Sequence, residues 1–281
     1  MILETRIYQR KRKIKPGKLL KESLKDVVSS RFLSKQLAVR DIKALYRQSF
    51  LGVFWAFITP IMTALVWILL RQSGTVTLSE TGVPYPIFVF SGTLIWSILV
   101  ETINAPMANT NAARGILTKI NFPKEALVVS GIYKLLFNST IKIGVLLLFL
   151  LVYGLTFTWH MLLFPLAVLG AVVFGTALGL LITPLGLLYK DIGKIVAFGM
   201  QFLMYATPVV YAIPKEGIMR TLMEVNPLTP LVTVPRDLLL GGMPQYMGYF
   251  GAVIVACMPL LFIGLVFYRI SIPVIVERLS A

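Results

Sequence analysis

From Arg31 to Leu70 the chain reads RFLSKQLAVRDIKALYRQSFLGVFWAFITPIMTALVWILL, and its two halves obey different rules. In the first half, Gln36, Arg40, Lys43 and Arg47 recur at i, i+4, i+7 and i+11, an arc of about 60° at roughly 100° per residue. Phe32, Val39, Ile42, Leu45, Tyr46 and Phe50 occupy another broad face. This pattern predicts an amphipathic helix over 31–49 that lies in a membrane interface, with a cationic ridge at the level of lipid phosphates. Polybasic flanks also follow from topology alone, so a plain anchor reads equally well. From Phe50 to Leu70 there is no charged residue. A spanning helix needs about 20 mainly apolar residues, and this run supplies them. The first apolar run thus stands behind a basic leader over 1–30, which excludes a secretory signal peptide at the start and predicts a leader that stays in the cytoplasm.

The rest of the chain agrees. Of its 281 residues 57% are hydrophobic and 14% charged, and the mean hydropathy is +0.82, far from soluble composition. Six spans are predicted, near 50–70, 84–103, 134–154, 161–188, 194–213 and 247–268. The fourth is overlong and contains Pro165 and Pro184, which predicts a tilt or a break. The net charge is +15, with 14 of the 27 Lys and Arg residues before Phe50. That places the charge in one segment and argues against nucleic acid as a partner. Taking both termini as cytoplasmic puts 21 basic residues inside and 4 outside, with Lys134 and Lys142 in the third span. The fold class is therefore an all-α polytopic membrane protein with six spans, followed by a cytoplasmic tail over 269–281.

Two segments outside the spans stand out. The cytoplasmic loop 105–125 contains Asn111, Arg114 and Gly115 and ends in Asn121-Phe122-Pro123-Lys124-Glu125. Pro123 must stop any short helix before Phe122. A compact projecting helix is expected, although an ordinary re-entry loop reads the same composition. The external stretch 214–246 is too apolar for a free loop and too short in each half to span. It predicts two short helices, parted at Asn226-Pro227, that re-enter the bundle between the fifth and sixth spans; a flat interfacial hairpin is the other allowed form.

Chemistry is sparse. Cys257 and His160 are the only cysteine and histidine, which excludes a disulfide framework and leaves no metal site. There is no G-x-x-x-x-G-K-[ST], so ATP-driven work needs a partner chain. No paired acidic clusters suit a divalent metal and a diphosphate, so no catalytic residues are assigned. Glu101 reads as a helix-end carboxylate and Lys134 as a snorkelling lysine, whereas Lys142, four residues beyond Asn138, reads as an internal polar contact. Trp55, Thr59 and Thr63 in the first span, with Phe198, Gln201, Phe202 and Tyr205 in the fifth, mix rings with polar groups as a path for sugars requires. Interface anchoring accounts equally for aromatic residues near span ends.

The run Leu37–Trp55 leading to Pro60, the Asn111–Glu125 loop, the Tyr189-Lys190-Asp191 turn, and Asn226-Pro227-Leu228 followed by Arg236-Asp237-Leu238-Leu239 together resemble the membrane subunits of bacterial ATP-binding-cassette polysaccharide exporters. The likeness covers nearly all of the chain after the leader. Pro235 and the long leader depart from the family pattern. The resemblance implies a homodimer in the cytoplasmic (inner) membrane, bound to two copies of a separate ATPase that holds ATP and Mg, with no cofactor on this chain. It implies that the helix 31–49 is a gate helix, where Arg40, Lys43, Tyr46 and Arg47 meet a polyprenyl-diphosphate-linked glycan such as an O-antigen. It implies that Asn111, Arg114, Gly115, Phe122, Pro123, Lys124 and Glu125 couple to the ATPase. A related permease for a lipid or drug shares the architecture, and a membrane enzyme acting on lipid-linked sugars would need convergent acids that the chain offers sparsely.

Overall fold

The computed structural model describes residues 16–47, 54–75, 81–154 and 157–280, and among these there is no strand. Two short helices come first: α1, Pro16–Ser29, and α2, Arg31–Arg47. α1 takes up half of the leader. Next come α3 (Trp55–Gln72), α4 (Tyr85–Ala112), the single-turn α5 (Arg114–Leu117) and α6 (Glu125–Val152). A 3₁₀ turn at Trp159–Leu163 leads into α7 (Phe164–Leu188), and α8 (Lys190–Tyr205), α9 (Ile218–Val225), α10 (Leu228–Leu239) and α11 (Met247–Ser280) complete the chain.

Among the described residues four segments are long and apolar enough to cross a bilayer: Tyr85–Ala112, Glu125–Val152, Trp159–Leu188 and Met247–Arg278. The apolar part of α3, Ile58–Gln72, is shorter. α8 has 16 residues, about 24 Å at 1.5 Å per residue against a hydrocarbon core of about 30 Å. The long helices overrun the hydropathy boundaries: the second span continues past 103 to Ala112, the third starts at Glu125 instead of 134, and the last runs beyond 268 to Ser280. Backbone hydrogen bonding sets helix ends, and in the extra turns Asn109, Thr110, Glu125 and Ser130 are buried. The loop 105–125 thereby contracts to a short connection around α5. α7 is one continuous helix. Pro165 falls at its first positions, where a missing N–H costs nothing. At Pro184 no break occurs, and the preceding Thr183 returns its hydroxyl to the Gly179 carbonyl at 2.6 Å.

α4 is the centre of the bundle, with α7, α6, α3 and α10 packed around it. Gly175 and Gly179 of α7 face Thr102, Ile103 and Pro106, and a Cβ on Gly179 would stand 2.5 Å from the Ile103 carbonyl oxygen. This small-xxx-small contact lets the two backbones approach without a hydrophobic driving force from lipid. On α4, a Cβ on Gly92 would collide with the Val209 carbonyl. α10 is buried almost throughout, whereas α9 buries only Met223. They part at Asn226-Pro227: the Asn226 amide donates to the Ala206 carbonyl and to Thr207 Oγ1, both at 2.9 Å, while its oxygen accepts from the Leu228 N–H at 2.9 Å.

Candidate functional site

α3, α4, α6 and α8 leave a cavity of about 470 Å³ between them. From α3, Trp55, Thr59 and Thr63 reach it, since steps of four residues keep one helix face. From α8, Ala197, Gln201 and Met204 do the same. α4 contributes Trp96, Ser97 and Glu101, and α6 contributes Asn138 and Lys142.

The polar end of the cavity is built on one carboxylate. Glu101 Oε1 accepts from Asn138 Nδ2 at 2.7 Å and Glu101 Oε2 from Lys142 Nζ at 2.6 Å. The i, i+4 spacing of Asn138 and Lys142 lets one turn of α6 serve both oxygens. The Lys142 side chain is 6% exposed and that of Glu101 31%, so the ammonium is the more deeply buried partner and the carboxylate opens toward the cavity. Ionised groups at this depth persist only when paired. Glu101 lies within α4 instead of at a helix end. Thr63 and Ser97 donate to the backbone carbonyls of Thr59 and Leu94, at 3.0 and 2.7 Å, which leaves their oxygens as acceptors.

α8 divides the aromatic residues from the amide. Gln201 faces the cavity, while Phe198 (72% exposed), Phe202 (69%) and Tyr205 share the outward face one step round the helix. Tyr205 lies 6.3 Å from the Trp67 ring.

At α2 the cationic ridge is uneven. Arg40 is bonded to its neighbour Asp41 through Nε at 3.0 Å and Nη2 at 2.7 Å. Lys43 and Arg47 are exposed. The backbone of Tyr46 belongs to α2, and its side chain lies outside the described residues. Asp41 also receives Lys134 Nζ at 3.0 Å, so Lys134 is paired and α2 is pinned to α6. Burial raises the Asp41 carboxyl, but the hydrogen bonds and charges of Arg40 and Lys134 outweigh it and hold the group below its ordinary value of 3.8.

In the α4–α6 connection, Asn111 and Gly115 are exposed. Arg114 Nη2 donates to the Leu187 carbonyl at 2.9 Å, stitching α5 to the end of α7. Phe122 packs on Ala113, Leu117 and Leu127, and Lys124 Nζ sits 4.9 Å over its ring. Pro123 precedes α6 and is half-buried. Glu125 is 2% exposed and is paired with Arg269 of α11.

The family model for ABC-2 type transporters matches residues 33–240. The chain belongs to the ABC-2 type transporter family. The O-antigen export system permease protein RfbA of Myxococcus xanthus is 30% identical over 213 residues, covering 75% of this chain and 81% of the relative. A Klebsiella pneumoniae protein of the same name is 25% identical over 215 residues, covering 74% and 80%. This chain is accordingly a membrane-embedded transporter subunit.

For an ABC-2 subunit, the match takes in the cavity, nearly all of α2 and the α5 connection, while α1 and α11 lie outside it. Sequence reasoning missed Trp96, Asp41 and Arg236. Arg236 is buried: Nη1 donates to the Pro208 carbonyl at 2.7 Å, and the guanidinium carbon stands 3.8 Å from the centre of the Phe88 ring. The charged Arg236-Asp237 pair inside a mostly apolar α10 is the available signal. Nothing in the spacing of Asp41 and Lys134, 93 residues apart, announces their pairing.

Proposed function

We propose that this chain is the permease subunit of an ATP-driven exporter that moves a polyprenyl-diphosphate-linked polysaccharide of the O-antigen class across the cytoplasmic membrane. In this reading α3 and α8 complete six crossings, with both termini in the cytoplasm. Two copies pair with two copies of a separate ATPase, which alone binds ATP and Mg and is seated on the connection around α5.

The observation that carries the proposal is the mixed lining of the cavity. Trp55 and Trp96 supply flat apolar faces, and Thr59, Thr63, Gln201, Glu101 and Asn138 supply donors and acceptors. Indole rings stack on pyranose faces and polar groups take up sugar hydroxyls, so a neutral chain of alternating apolar and hydroxylated faces can pass without full hydration. A purely apolar cargo such as a drug would leave the Glu101, Asn138 and Lys142 group unmatched and desolvated. The exposed cations Lys43 and Arg47 suit a diphosphate leading the glycan in. The name shared by the Myxococcus and Klebsiella relatives supports the O-antigen class.

The test is reconstitution. The purified chain alone is expected to hydrolyse no ATP, and with its cassette ATPase to form a two-plus-two complex that delivers lipid-linked glycan into vesicles. ATP hydrolysis by this polypeptide alone, or glycan delivery without any ATPase, would end the proposal.

A further inference from the structure

Away from the cavity, a second charged cluster joins three elements that are remote in sequence. Arg269 Nη1 of α11 lies 2.5 Å from Glu125 Oε1 of α6 and 2.7 Å from Asp26 Oδ2 of α1, and its Nη2 lies 3.6 Å from Glu22 Oε2. Ser23 Oγ donates to the same Glu125 oxygen at 2.9 Å. The neighbouring Tyr268 is fully buried, and its hydroxyl is 2.7 Å from Thr110 Oγ1 and 3.4 Å from the Lys124 carbonyl. Two consecutive residues of α11 thus hold both feet of the α4–α6 connection: Thr110 near the close of α4, and Lys124 and Glu125 at the opening of α6.

The chemistry makes this grip hard to exchange. A buried carboxylate is tolerated only while paired, and removal of its cation leaves an uncompensated charge. Among the described residues the hydrogen-bond partners of Glu125 are Ser23 and Arg269. One guanidinium fork reaches all three carboxylates, as a lysine's single ammonium does not. With Glu22 and Asp26 turned toward Arg269, α1 shows the exposed Lys18, Lys21 and Lys25 outward. α1 packs against α11 and α6 more than against α2, on the side where this cluster lies.

We infer that Arg269 is a positioning residue which locks α1 to the root of the α4–α6 connection, so that α1 moves with that connection when a partner bears on it. α1 is then a working arm of the docking apparatus and not a passive leader. This inference rests on the reading that a separate ATPase seats on the connection around α5.

The experiment uses the complete complex in proteoliposomes and reads two quantities. One is glycan delivered per ATP hydrolysed. The other is the rate of tryptic cleavage after Lys21 and Lys25, followed by mass spectrometry. In the Arg269→Gln complex, assembly and ATP hydrolysis are expected to persist, while delivery per ATP falls about tenfold, the scale at which coupling networks respond to substitution, and α1 is cleaved faster by a similar factor. Arg269→Lys restores part of both. The paired change Glu22→Gln with Asp26→Asn releases α1 while sparing the Arg269–Glu125 contact, and reproduces the uncoupling; it decides the matter if Arg269→Gln fails to assemble. Normal delivery per ATP in the paired variant overturns the inference, whether α1 is released or still protected. A parent chain that does not co-purify with any ATPase would instead sink the exporter reading beneath it.

Discussion

Glu101 and Lys142 offer an unequal pair for removal. Glu101→Leu strands an ammonium whose side chain is 6% exposed, and Lys142→Met strands a carboxylate that is 31% exposed and keeps Asn138 at 2.7 Å. Breaking a fully buried pair costs about 3–5 kcal/mol. The low end of that range, ~3 kcal/mol, applies to Glu101→Leu, because the cavity admits some water. For Lys142→Met the exposed carboxylate recovers hydration and the cost drops to ~1 kcal/mol. Replacing both groups removes both charges, so the double variant is expected within ~1 kcal/mol of the parent, a coupling of roughly 3 kcal/mol. Denaturant titration in mild detergent, read by the fluorescence of Trp55 and Trp96 in the same cavity, measures all three. Additive costs, or Lys142→Met costing more than Glu101→Leu, would refute the view that unequal burial sets the energetics of this site.

Gly92→Ala, forced onto the Val209 carbonyl, is expected to lose about 1–3 kcal/mol by overpacking, whereas Gly144→Ala, with open space around it, is neutral or stabilising in the same titration. Arg236→Met leaves the buried Pro208 carbonyl without its donor and should cost about 2 kcal/mol, seen as a lower thermal midpoint. The Asp41 carboxyl is lowered in the folded state, so its stabilising effect is complete above the ordinary value of 3.8 and is lost as pH falls through the lower folded value. Hydrogen exchange in α2, compared at each pH with Asp41→Asn, should therefore differ between the two at neutral pH and converge only in strong acid. Changing Lys43 and Arg47 together to Gln should leave insertion intact but reduce glycan delivery several-fold; Arg40→Gln alone should do less, because that guanidinium is already committed to Asp41. Unchanged delivery by the double Gln variant would reduce α2 to an anchor.

The membrane character of the chain, the all-helical class and the division of α9 from α10 at Asn226-Pro227 could all be read in advance. Each depends on local rules: hydropathy summed over one segment, periodicity within one helix, or a proline that cannot continue a turn. Lys142 was legible for the same reason, since an ammonium in an apolar run demands a partner wherever the helix sits. The identity of that partner was not legible. Glu101 is 41 residues away, and the two meet only because α4 and α6 cross at that height. The same holds for Arg269, whose three carboxylates come from α1 and α6, and for α8, where the orientation of the bundle turned Gln201 inward and Phe198 outward although both sit at helical spacing. Sequence alone thus determined the membrane character, the all-helical class and, at Lys142, one polar group that requires company. Tertiary packing decided the company, because the energy of a buried charge depends on atoms within a few ångströms, and neighbours at that range belong to helices that the linear pattern does not place beside one another.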